Sequence, residues 1–231
     1  MSFTYKYPRP ALTVDCVIFG FDAAQKELRV LLIQRGMEPF RGKWALPGGF
    51  VKVGEDTETA ARRELEEEAG LKQLFMEQFH TFSDPKRDPR EHVVSVAYFA
   101  LVPFLSHPPK ADTDASDAAW FAVYEVPSLA FDHKLILDTA LQHLRQKIQR
   151  EPAGFELLPR QFTLTQLQQV YEAVLGMSLD KRNFRKKILG MGLLVDTGEV
   201  EQDVAHRAAA LWRFDTRRYE KLRKSGFHFA I

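Results

Sequence analysis

The chain is poor in features that cross-link or anchor a protein. It contains a single cysteine, Cys16, which excludes an intrachain disulfide and favours a reducing compartment. Because Cys16 lies in the apolar run 14–19, we expect a buried side chain and not a nucleophile. No apolar run reaches the length of a membrane span, and the first ten residues lack the apolar core of a signal peptide. We therefore expect a cytoplasmic protein.

Net charge is also nearly absent. The 231 residues carry 32 Lys and Arg against 31 Asp and Glu, a formal charge of +1. Residues 151–231 hold 13 basic against 10 acidic side chains, an asymmetry too weak to indicate nucleic-acid binding by itself. No internal repeat or low-complexity tract is visible. With 45% hydrophobic residues, the composition is typical of one large globular domain or two small ones.

Hydrophobic periodicity predicts two domains. Apolar strands are predicted at 11–21 and 28–34, joined as a hairpin, and an amphipathic helix is predicted at 132–150. Further strands are predicted at 73–82, 92–102 and 118–123. The segment 151–154, Glu-Pro-Ala-Gly, breaks the helix. We therefore expect domains at residues 1–152 and 153–231.

The stretch 48–71 combines a glycine turn with a helix. Gly48 and Gly49 allow the backbone to lie close to a ligand. Asp56 or Thr57 can cap the helix at its start, and Gly70 can end it. Helix signals at both ends predict a short helix directly after the glycine turn.

Three carboxylates share one face of this predicted helix. They are Glu64, Glu67 and Glu68, at spacings i, i+3 and i+4. A charge run is usually just a solvated helix face. However, a hard cation such as Mg²⁺ takes oxygen ligands from carboxylates, water and phosphate, and three carboxylates beside a glycine turn match that need. We therefore predict a cation site here.

The residue pattern resembles the complete signature of the Nudix hydrolases. It consists of Gly49, five residues, Glu55, seven residues and then the run 63–71, Arg-Glu-Leu-Glu-Glu-Glu-Ala-Gly-Leu. The resemblance implies an α/β/α sandwich with a mixed sheet and attack of water on a nucleoside diphosphate, dependent on Mg²⁺ or Mn²⁺. It implies catalytic roles for Glu64, Glu67, Arg63 and Glu55, the last two as an ion pair that braces the loop, and metal ligation by Glu64, Glu67, Glu68 and the Gly48 carbonyl. The general base is left open between Glu64 and an acid of a later loop.

Two later loops can be interpreted either as solvent-exposed loops or as parts of a functional site. Loop 83–90 is dense in proline and charge, as solvated turns often are. In Nudix proteins that resemble ADP-ribose pyrophosphatases, a proline-containing loop at this place lines the substrate site. The substrate-binding residues expected on this basis are Arg35, Pro85, Arg87 and Arg90. The aspartates at 112–117 are typical of solvent-facing loops, but the resemblance makes Asp114 and Asp117 candidates for a further metal ligand or base.

The second half predicts a helix-turn-helix. Thr163 and Gln166 form a capping-box pattern, and Asp180 can cap a second helix, whose Phe184 and Ile188 face inward. Apolar segments at 193–195 and 209–214 complete the outline of a winged helix, whose second helix enters the major groove of DNA. The DNA-binding residues expected on this reading are Arg182, Asn183, Arg185, Lys186 and Lys187. Alternatively, this basic face meets only water or the first domain.

Together, both halves resemble two-domain Nudix-related transcriptional regulators of NAD metabolism. In these proteins, a Nudix domain senses ADP-ribose or a related nucleotide and a winged helix holds DNA. The chain departs from them in its intact signature and in the acidic hairpin tip at 199–207. We therefore expect a hydrolase of ADP-ribose or a related nucleoside diphosphate derivative first, and a DNA-binding regulator as the alternative. The two functions are compatible, and a homodimer is expected in either case.

Overall fold

The chain divides into two compact units. A computed structural model describes residues 6–72, 74–104, 115–202 and 208–231. The first unit comprises residues 1–19, 30–100 and 107–140, and the second comprises residues 20–29, 101–106 and 141–231. Because the second unit includes the first hairpin turn and the end of a long helix, the division at residue 152 stays a prediction.

Seven strands form one mixed sheet. The strands are β1 (Ala11–Asp22), β2 (Glu27–Arg35), β3 (Trp44–Ala45), β4 (Gly48–Phe50), β5 (Glu77–Phe82), β6 (Val93–Val102) and β7 (Ala115–Ala122). Neighbouring strands follow the order β3-β2-β1-β6-β5, while β4 pairs with β1 and β7 with β2. The predicted hairpin and the predicted strands near 92–102 and 118–123 are confirmed, and the strand predicted at 73–82 begins later, at Glu77.

Strand β1 forms the centre of this sheet. Residues 13–21 are buried without interruption, although successive side chains of a strand point to opposite faces. Both faces of β1 are therefore covered, as in sheets that lie between two layers. Asp15 is a carboxylate within this buried run, and it pairs across the sheet with Gly48 of β4.

Two helices accompany the sheet. They are α1 (Thr57–Ala69) and α2 (His133–Arg150). Asp56 caps α1 by accepting a hydrogen bond from the Thr59 amide at 2.7 Å, and Gly70 ends it in the left-handed conformation with φ of +67°. The predicted helix signals are thus confirmed, with Asp56 as the cap. The predicted amphipathic helix is α2, which buries one side at helical spacing: Ile136, Leu137, Ala140, Leu144 and Ile148.

The C-terminal part contains a winged helix. Its elements are a 3-10 helix (Pro152–Leu157), α3 (Leu164–Leu175), α4 (Lys181–Gly190), β8 (Leu194–Val200), β9 (Ala210–Phe214) and α5 (Thr216–Lys224). The predicted capping box of Thr163 and Gln166 is present, and Asp180 caps α4. The segment predicted as a simple break forms the 3-10 helix instead. The sequence did not predict α5, because its charged positions give no apolar periodicity.

Aromatic packing holds this winged helix together. Tyr171 of α3 is fully buried, and its ring centroid lies 5.4 Å from that of Phe184 in α4. Strands β8 and β9 pair antiparallel, and Phe162 bridges to Trp212 as a third antiparallel partner. Burial of Phe184 and Ile188 leaves the charged side of α4 outward, as predicted. Among the helices of the described residues, none is both long and apolar enough to cross a membrane.

Candidate functional site

Helix α1 presents the three predicted carboxylates beside the glycine turn. Ala60, Ala61 and Leu65 are buried on or beside the face that carries the carboxylates, which fixes the rotation of the helix. Glu68 is 8% exposed and accepts a hydrogen bond from the Gly48 amide at 2.8 Å. The helix and the turn are therefore joined directly through a signature carboxylate.

The turn has no space for side chains. A Cβ atom at Gly49 would collide with the carboxylate of Glu64, and one at Gly48 would collide with the backbone carbonyl of Val14. Close approach of the backbone therefore requires glycine at position 48, whereas a side chain at position 49 would force the Glu64 carboxylate to move. This approach places the backbone of β4 directly against the acidic face of α1.

Arg63 braces the loop before α1. Its Nε and Nη2 donate to the two carboxylate oxygens of Glu55 at 2.8 and 3.0 Å, and Nη2 also donates to the Phe50 carbonyl at 3.1 Å. Hydrogen bonds from Arg63, followed by one from the Lys52 amide, lower the pKa of Glu55 to about 2. The ion pair implied by the family resemblance is thus present and charged at neutral pH.

The contacts of the same guanidinium indicate whether the site is suited to a cation. Its Nη1 donates to Glu64 Oε1 at 2.5 Å and to Glu67 Oε2 at 3.2 Å, so one positive group stands between two of the predicted ligands. Among the described residues, no three His, Cys, Asp or Glu side chains already form a compact metal cluster. The donor chemistry nevertheless fits a hard cation, because carboxylate oxygens converge on a positive charge.

Burial shifts the proton affinity of Glu64. Desolvation raises the pKa of Glu64, while the hydrogen bond from Arg63 opposes that shift. A carboxylate with a raised pKa accepts protons better near neutral pH, which is the property required of a general base. Because Asp114 of the later loop lies outside the described residues, the choice of the general base stays open.

A buried polar cluster lies behind the turn and was not predicted. Asp15 accepts hydrogen bonds from Ser95 Oγ at 2.5 Å and from Arg87 Nη2 at 3.0 Å. Arg87 also donates to both carboxylate oxygens of Asp132, at 2.9 and 2.7 Å. Burial works to lower the pKa of Arg87, but the hydrogen bond to Asp132 and the charge of Asp15 outweigh it and raise that pKa. An acidic residue within the apolar run of β1 was the available sequence signal.

His133 joins this cluster to the glycine turn. Its Nδ1 accepts a hydrogen bond from the Leu46 amide at 2.8 Å, and its Nε2 lies 3.4 Å from Asp15 Oδ1. An Nδ1 acceptor carries no proton, so the proton of the neutral ring resides on Nε2. Burial lowers the pKa of His133, which keeps the ring neutral at physiological pH.

A cavity of about 370 Å³ opens above these groups. The signature carboxylates Glu64, Glu67 and Glu68 line it together with Gly48 and Arg63. Its volume lies within the range of small-molecule sites, about 300–1,000 Å³. Acidic and basic side chains therefore face one cavity, open to solvent, whose volume is typical of small-molecule sites.

The other wall combines arginines with aromatic rings. The guanidinium of Arg90 lies 5.1 Å from the ring centroid of Phe50 and 5.5 Å from that of Phe131, and Arg35 lies 4.8 Å from Phe131. Burial and the nearby charge of Arg90 lower the pKa of Arg35. Phe131 has φ of +49°, a strained value for a bulky residue, and such strain is concentrated at functional sites.

The predicted substrate residues occupy different positions. Arg35, Arg87 and Arg90 line the cavity, whereas Pro85 is not among its lining residues. Arg87 is also engaged by two carboxylates, so its guanidinium is less available than that of Arg90, which is 39% exposed. Substrate contact by all four residues stays a prediction.

Asp117, one of the predicted acids of the later loop, is exposed and is not among the residues that line the cavity. It accepts a hydrogen bond from the Ala118 amide. Asp112 and Asp114 lie outside the described residues. A role for this loop stays a prediction.

A second candidate surface lies on α4. Arg182, Asn183, Lys186 and Lys187 are exposed on this helix. Arg185 is half-buried and donates to Thr165 Oγ1 at 3.0 Å. The predicted DNA-binding residues therefore share one outward-facing helix, although Arg185 also contacts α3. Part of the acidic hairpin tip, residues 203–207, lies outside the described residues.

Comparison with known proteins places this geometry in a family. The NUDIX domain model matches residues 9–143, more than half of the chain. The chain belongs to the Nudix family. A second model, the NrtR DNA-binding winged helix domain, matches residues 154–214 of this Nudix protein. Both predicted family resemblances are thereby confirmed.

This Nudix protein is similar both to a transcriptional repressor and to a pyrophosphatase. The ADPR responsive transcriptional repressor NtrR of Acinetobacter baylyi is 36% identical over 218 residues, covering 93% of this chain and 86% of the relative. The ADP-ribose pyrophosphatase of Methanocaldococcus jannaschii is 40% identical over 131 residues, covering 57% and 73%. The crystal structure of Shewanella oneidensis NrtR complexed with a 27mer DNA is 33% identical with a TM-score of 0.77, covering 94% and 97%. The two-domain arrangement is therefore shared along nearly the whole chain.

Proposed function

We propose that the Nudix domain hydrolyses the diphosphate of ADP-ribose or a related nucleoside diphosphate derivative with a divalent cation, Mg²⁺ or Mn²⁺. The observation that carries this proposal is the complete set of signature carboxylates, facing one cavity beside Gly48. The ADP-ribose pyrophosphatase relative supports the choice of substrate. The cavity volume of about 370 Å³ supports a small-molecule ligand.

Each part of the cavity has a proposed role. Glu64, Glu67, Glu68 and the Gly48 carbonyl would hold the cation. When bound, the cation supplies Lewis-acid polarisation of the phosphoryl group and lowers the pKa of the attacking water.

The remaining side chains orient the reactants. Arg35 and Arg90 provide guanidinium donors for diphosphate oxygens from the aromatic wall. The general base stays open between Glu64 and an acid of a later loop. Arg63 keeps the acidic helix face against the turn through Glu55 and Phe50.

Release of AMP from ADP-ribose in the presence of Mg²⁺ tests this proposal. We expect Glu67→Gln to lower kcat/KM by at least about 100-fold, more than the loss of residues that only support metal ligands. Glu66→Gln is the matched control, because Glu66 lies on the same helix but points outward, with 53% of its side chain exposed in an ion pair with Lys72. Hydrolysis would be excluded if the unchanged protein released no AMP and both variants behaved in the same way as the unchanged protein.

A second function is favoured by a separate observation, the exposed basic face of α4. We propose that the winged helix binds double-stranded DNA and that ADP-ribose or a related nucleotide in the Nudix cavity controls this binding. The repressor relative and the DNA complex of Shewanella oneidensis NrtR support this proposal. Hydrolysis and sensing are compatible, because hydrolysis would remove the effector.

A mobility-shift assay tests the second function. The probe is duplex DNA from upstream of the gene's own transcription unit, with and without ADP-ribose, over a range of salt concentrations. We expect ADP-ribose to change the affinity and Arg182→Ala with Lys186→Ala to weaken binding. Unchanged binding by this double variant would refute the role of α4.

We further propose that the protein acts as a homodimer in this role. Two-fold dimers bind two half-sites about 34–36 Å apart, so a palindromic operator is expected. Light scattering coupled to size-exclusion chromatography measures the oligomeric state directly. If the protein is a monomer at micromolar concentration and still binds the operator DNA, this proposal is contradicted.

A further inference from the structure

The last helix of the chain, α5, carries a dense positive charge that the proposed functions do not use. Its nine residues, Thr216–Lys224, contain five basic side chains and one acidic side chain, Glu220. No residue of α5 is buried. The helix is therefore a surface element whose composition is not explained by a contribution to a core.

Two of the five cations face the winged helix itself. The guanidinium of Arg218 lies against Gly192, where an added Cβ would come within 3.0 Å of Nη2. The guanidinium of Arg223 lies 6.0 Å from the ring centroid of Tyr219, which in turn packs 5.9 Å from Phe214. Tyr219, Arg218 and Arg223 thus mark the inner side of the helix.

The other three cations share the outer side. Arg217, Lys221 and Lys224 stand at i, i+4 and i+7, a spacing that aligns side chains on one helix face. All three are exposed, and none forms an ion pair with any residue that the structure describes. The row spans about 10 Å along the helix at a rise of 1.5 Å per residue.

Helix stability accounts for only part of this charge, because Lys221 and Lys224 lie in the last turn, where the helix dipole favours cations. The positive end of the dipole favours acidic residues in the first turn, yet the first turn of α5 contains Arg217 and Arg218 and no acid. Like charges at i and i+4, such as Arg217 and Lys221, repel each other. These two features are unfavourable for the isolated helix, and a polyanionic partner would offset both.

The position of α5 beside α4 indicates which polyanion this helix would contact. Helix α4 ends at Gly190, and two residues later Gly192 contacts Arg218 of α5. The amide of Asp215, which caps α5, donates to the Leu193 carbonyl at 2.9 Å. The two most basic helices of the winged helix therefore meet at the end of α4, the helix proposed to enter the major groove.

From these observations we propose that the row Arg217, Lys221 and Lys224 contacts the phosphate backbone of double-stranded DNA beside the groove that receives α4. This inference rests on the proposed DNA-binding function and extends it. Such contacts raise affinity for any sequence and fix the position of the protein on the duplex, whereas base contacts from α4 provide sequence preference. A DNA duplex presents one charge per about 1.7 Å of its axis, so a row of about 10 Å can reach several phosphates.

The experiment measures the salt dependence of DNA binding. Fluorescence anisotropy gives the affinity of the full chain for a labelled duplex from upstream of its own gene and for a duplex of shuffled sequence, at several KCl concentrations. The test variant combines Arg217→Gln, Lys221→Gln and Lys224→Gln. The control variant combines Arg41→Gln, Lys72→Gln and Arg150→Gln, three exposed cations outside α4 and α5 that give the same change in net charge.

We expect the test variant to lower the slope of log affinity against log salt by about 2–3, since each phosphate contact contributes about 0.9. The loss should be equal on both duplexes, so the preference for the specific duplex stays within about twofold of that of the unchanged protein. The control variant should keep the original slope. Circular dichroism of each variant checks that the helices are retained.

The outcomes separate this inference from the function on which it rests. If the test variant and the control variant have the same salt slope while the Arg182→Ala and Lys186→Ala variant loses binding, the role of α5 is refuted and that of α4 stands. A loss confined to the specific duplex would also refute the role of α5, because it would indicate base contacts. If the unchanged protein binds neither duplex, both proposals are overturned.

Discussion

Replacing Arg87 by methionine should destabilise the Nudix domain strongly. The Arg87 side chain is 5% exposed and lies between Asp15, which is 7% exposed, and Asp132, which is 18% exposed. Removing one partner of a buried ion pair costs about 3–5 kcal/mol, because the remaining charge stays desolvated and unpaired. Methionine keeps most of the side-chain volume, so the predicted loss comes from charge and hydrogen bonding rather than from a cavity.

This loss should be visible as a lower melting temperature. For chains of 150–250 residues, 1 kcal/mol corresponds to about 2–4 °C, so we expect a decrease of about 6–20 °C for Arg87→Met. Differential scanning calorimetry of the full chain at neutral pH is the measurement. Arg87→Lys should lose part of this stability, because an ammonium group cannot donate to both oxygens of Asp132 in the planar geometry of a guanidinium.

Arg90→Met is the matched control. Arg90 lies on the same loop and pairs with Asp88, but its side chain is 39% exposed. Asp88 is buried but keeps the hydrogen bond from the Arg90 amide, and the partly exposed Arg90 is screened by solvent, so we expect a smaller decrease than for Arg87→Met. Adding Asp132→Asn to Arg87→Met should recover part of the loss by removing one unpaired charge. If Arg87→Met melts within about 2 °C of the unchanged protein, the cluster around Asp15 does not depend on this cation.

Three further predictions concern pH, the turn and a helix cap. Because burial lowers the pKa of His133, the unfolded chain binds more protons than the folded chain below about pH 6.5, and stability should fall as pH decreases from 7 to 5. A thermal melt series should show a smaller pH dependence for His133→Gln, and an unchanged dependence would contradict this assignment. Gly49→Ala should weaken Mn²⁺ binding, measured by calorimetric titration, by at least about tenfold through its collision with Glu64, whereas Gly190→Ala, which meets no atom within 4 Å, should not. Thr163→Ala should destabilise the winged helix by about 1 kcal/mol in urea unfolding, because it removes the hydrogen bond to the Gln166 amide; an effect near zero would show that the capping box contributes little.

Features encoded by neighbouring residues could be predicted from the sequence. The start and end of α1 and the shared face of its three carboxylates depend on positions within a few turns of one another, whereas the pair formed by Glu55 and Arg63 was expected from the family resemblance. The capping box of α3 likewise depends on neighbouring positions. Such features need no knowledge of the tertiary fold, because backbone geometry and spacing determine them.

The cluster around Asp15 could not be predicted in this way. Its hydrogen-bond partners Arg87 and Ser95 lie 72 and 80 positions further along the chain, and His133 approaches it from a helix. Periodicity carries no information about which distant polar groups meet. The family resemblance assigned Arg87 to a loop at the substrate site, but its two carboxylate partners appear only in the folded structure.

Helix α5 illustrates a different limit. Sequence reasoning depends on apolar spacing, and in α5 only Tyr219 and Leu222 supply apolar contact. Its boundaries come instead from the Asp215 cap and from packing on Phe214. A helix held by tertiary contacts and covered with charge does not produce the pattern that identifies amphipathic helices.

Because Arg63 already contacts two of the proposed cation ligands, a cation that binds at the proposed site would have to replace the Arg63 guanidinium there. Only its Nη1 contacts Glu64 and Glu67, while Nε and Nη2 are held by Glu55 and Phe50. An incoming cation competes with a tethered internal counter-ion that stays attached to the loop after it has been displaced. Arg63 thus screens the repulsion between the two carboxylates without a bound cation. A regulator that must respond to nucleotide at low metal occupancy and an enzyme that must reload its metal after each turnover would both benefit from the same guanidinium.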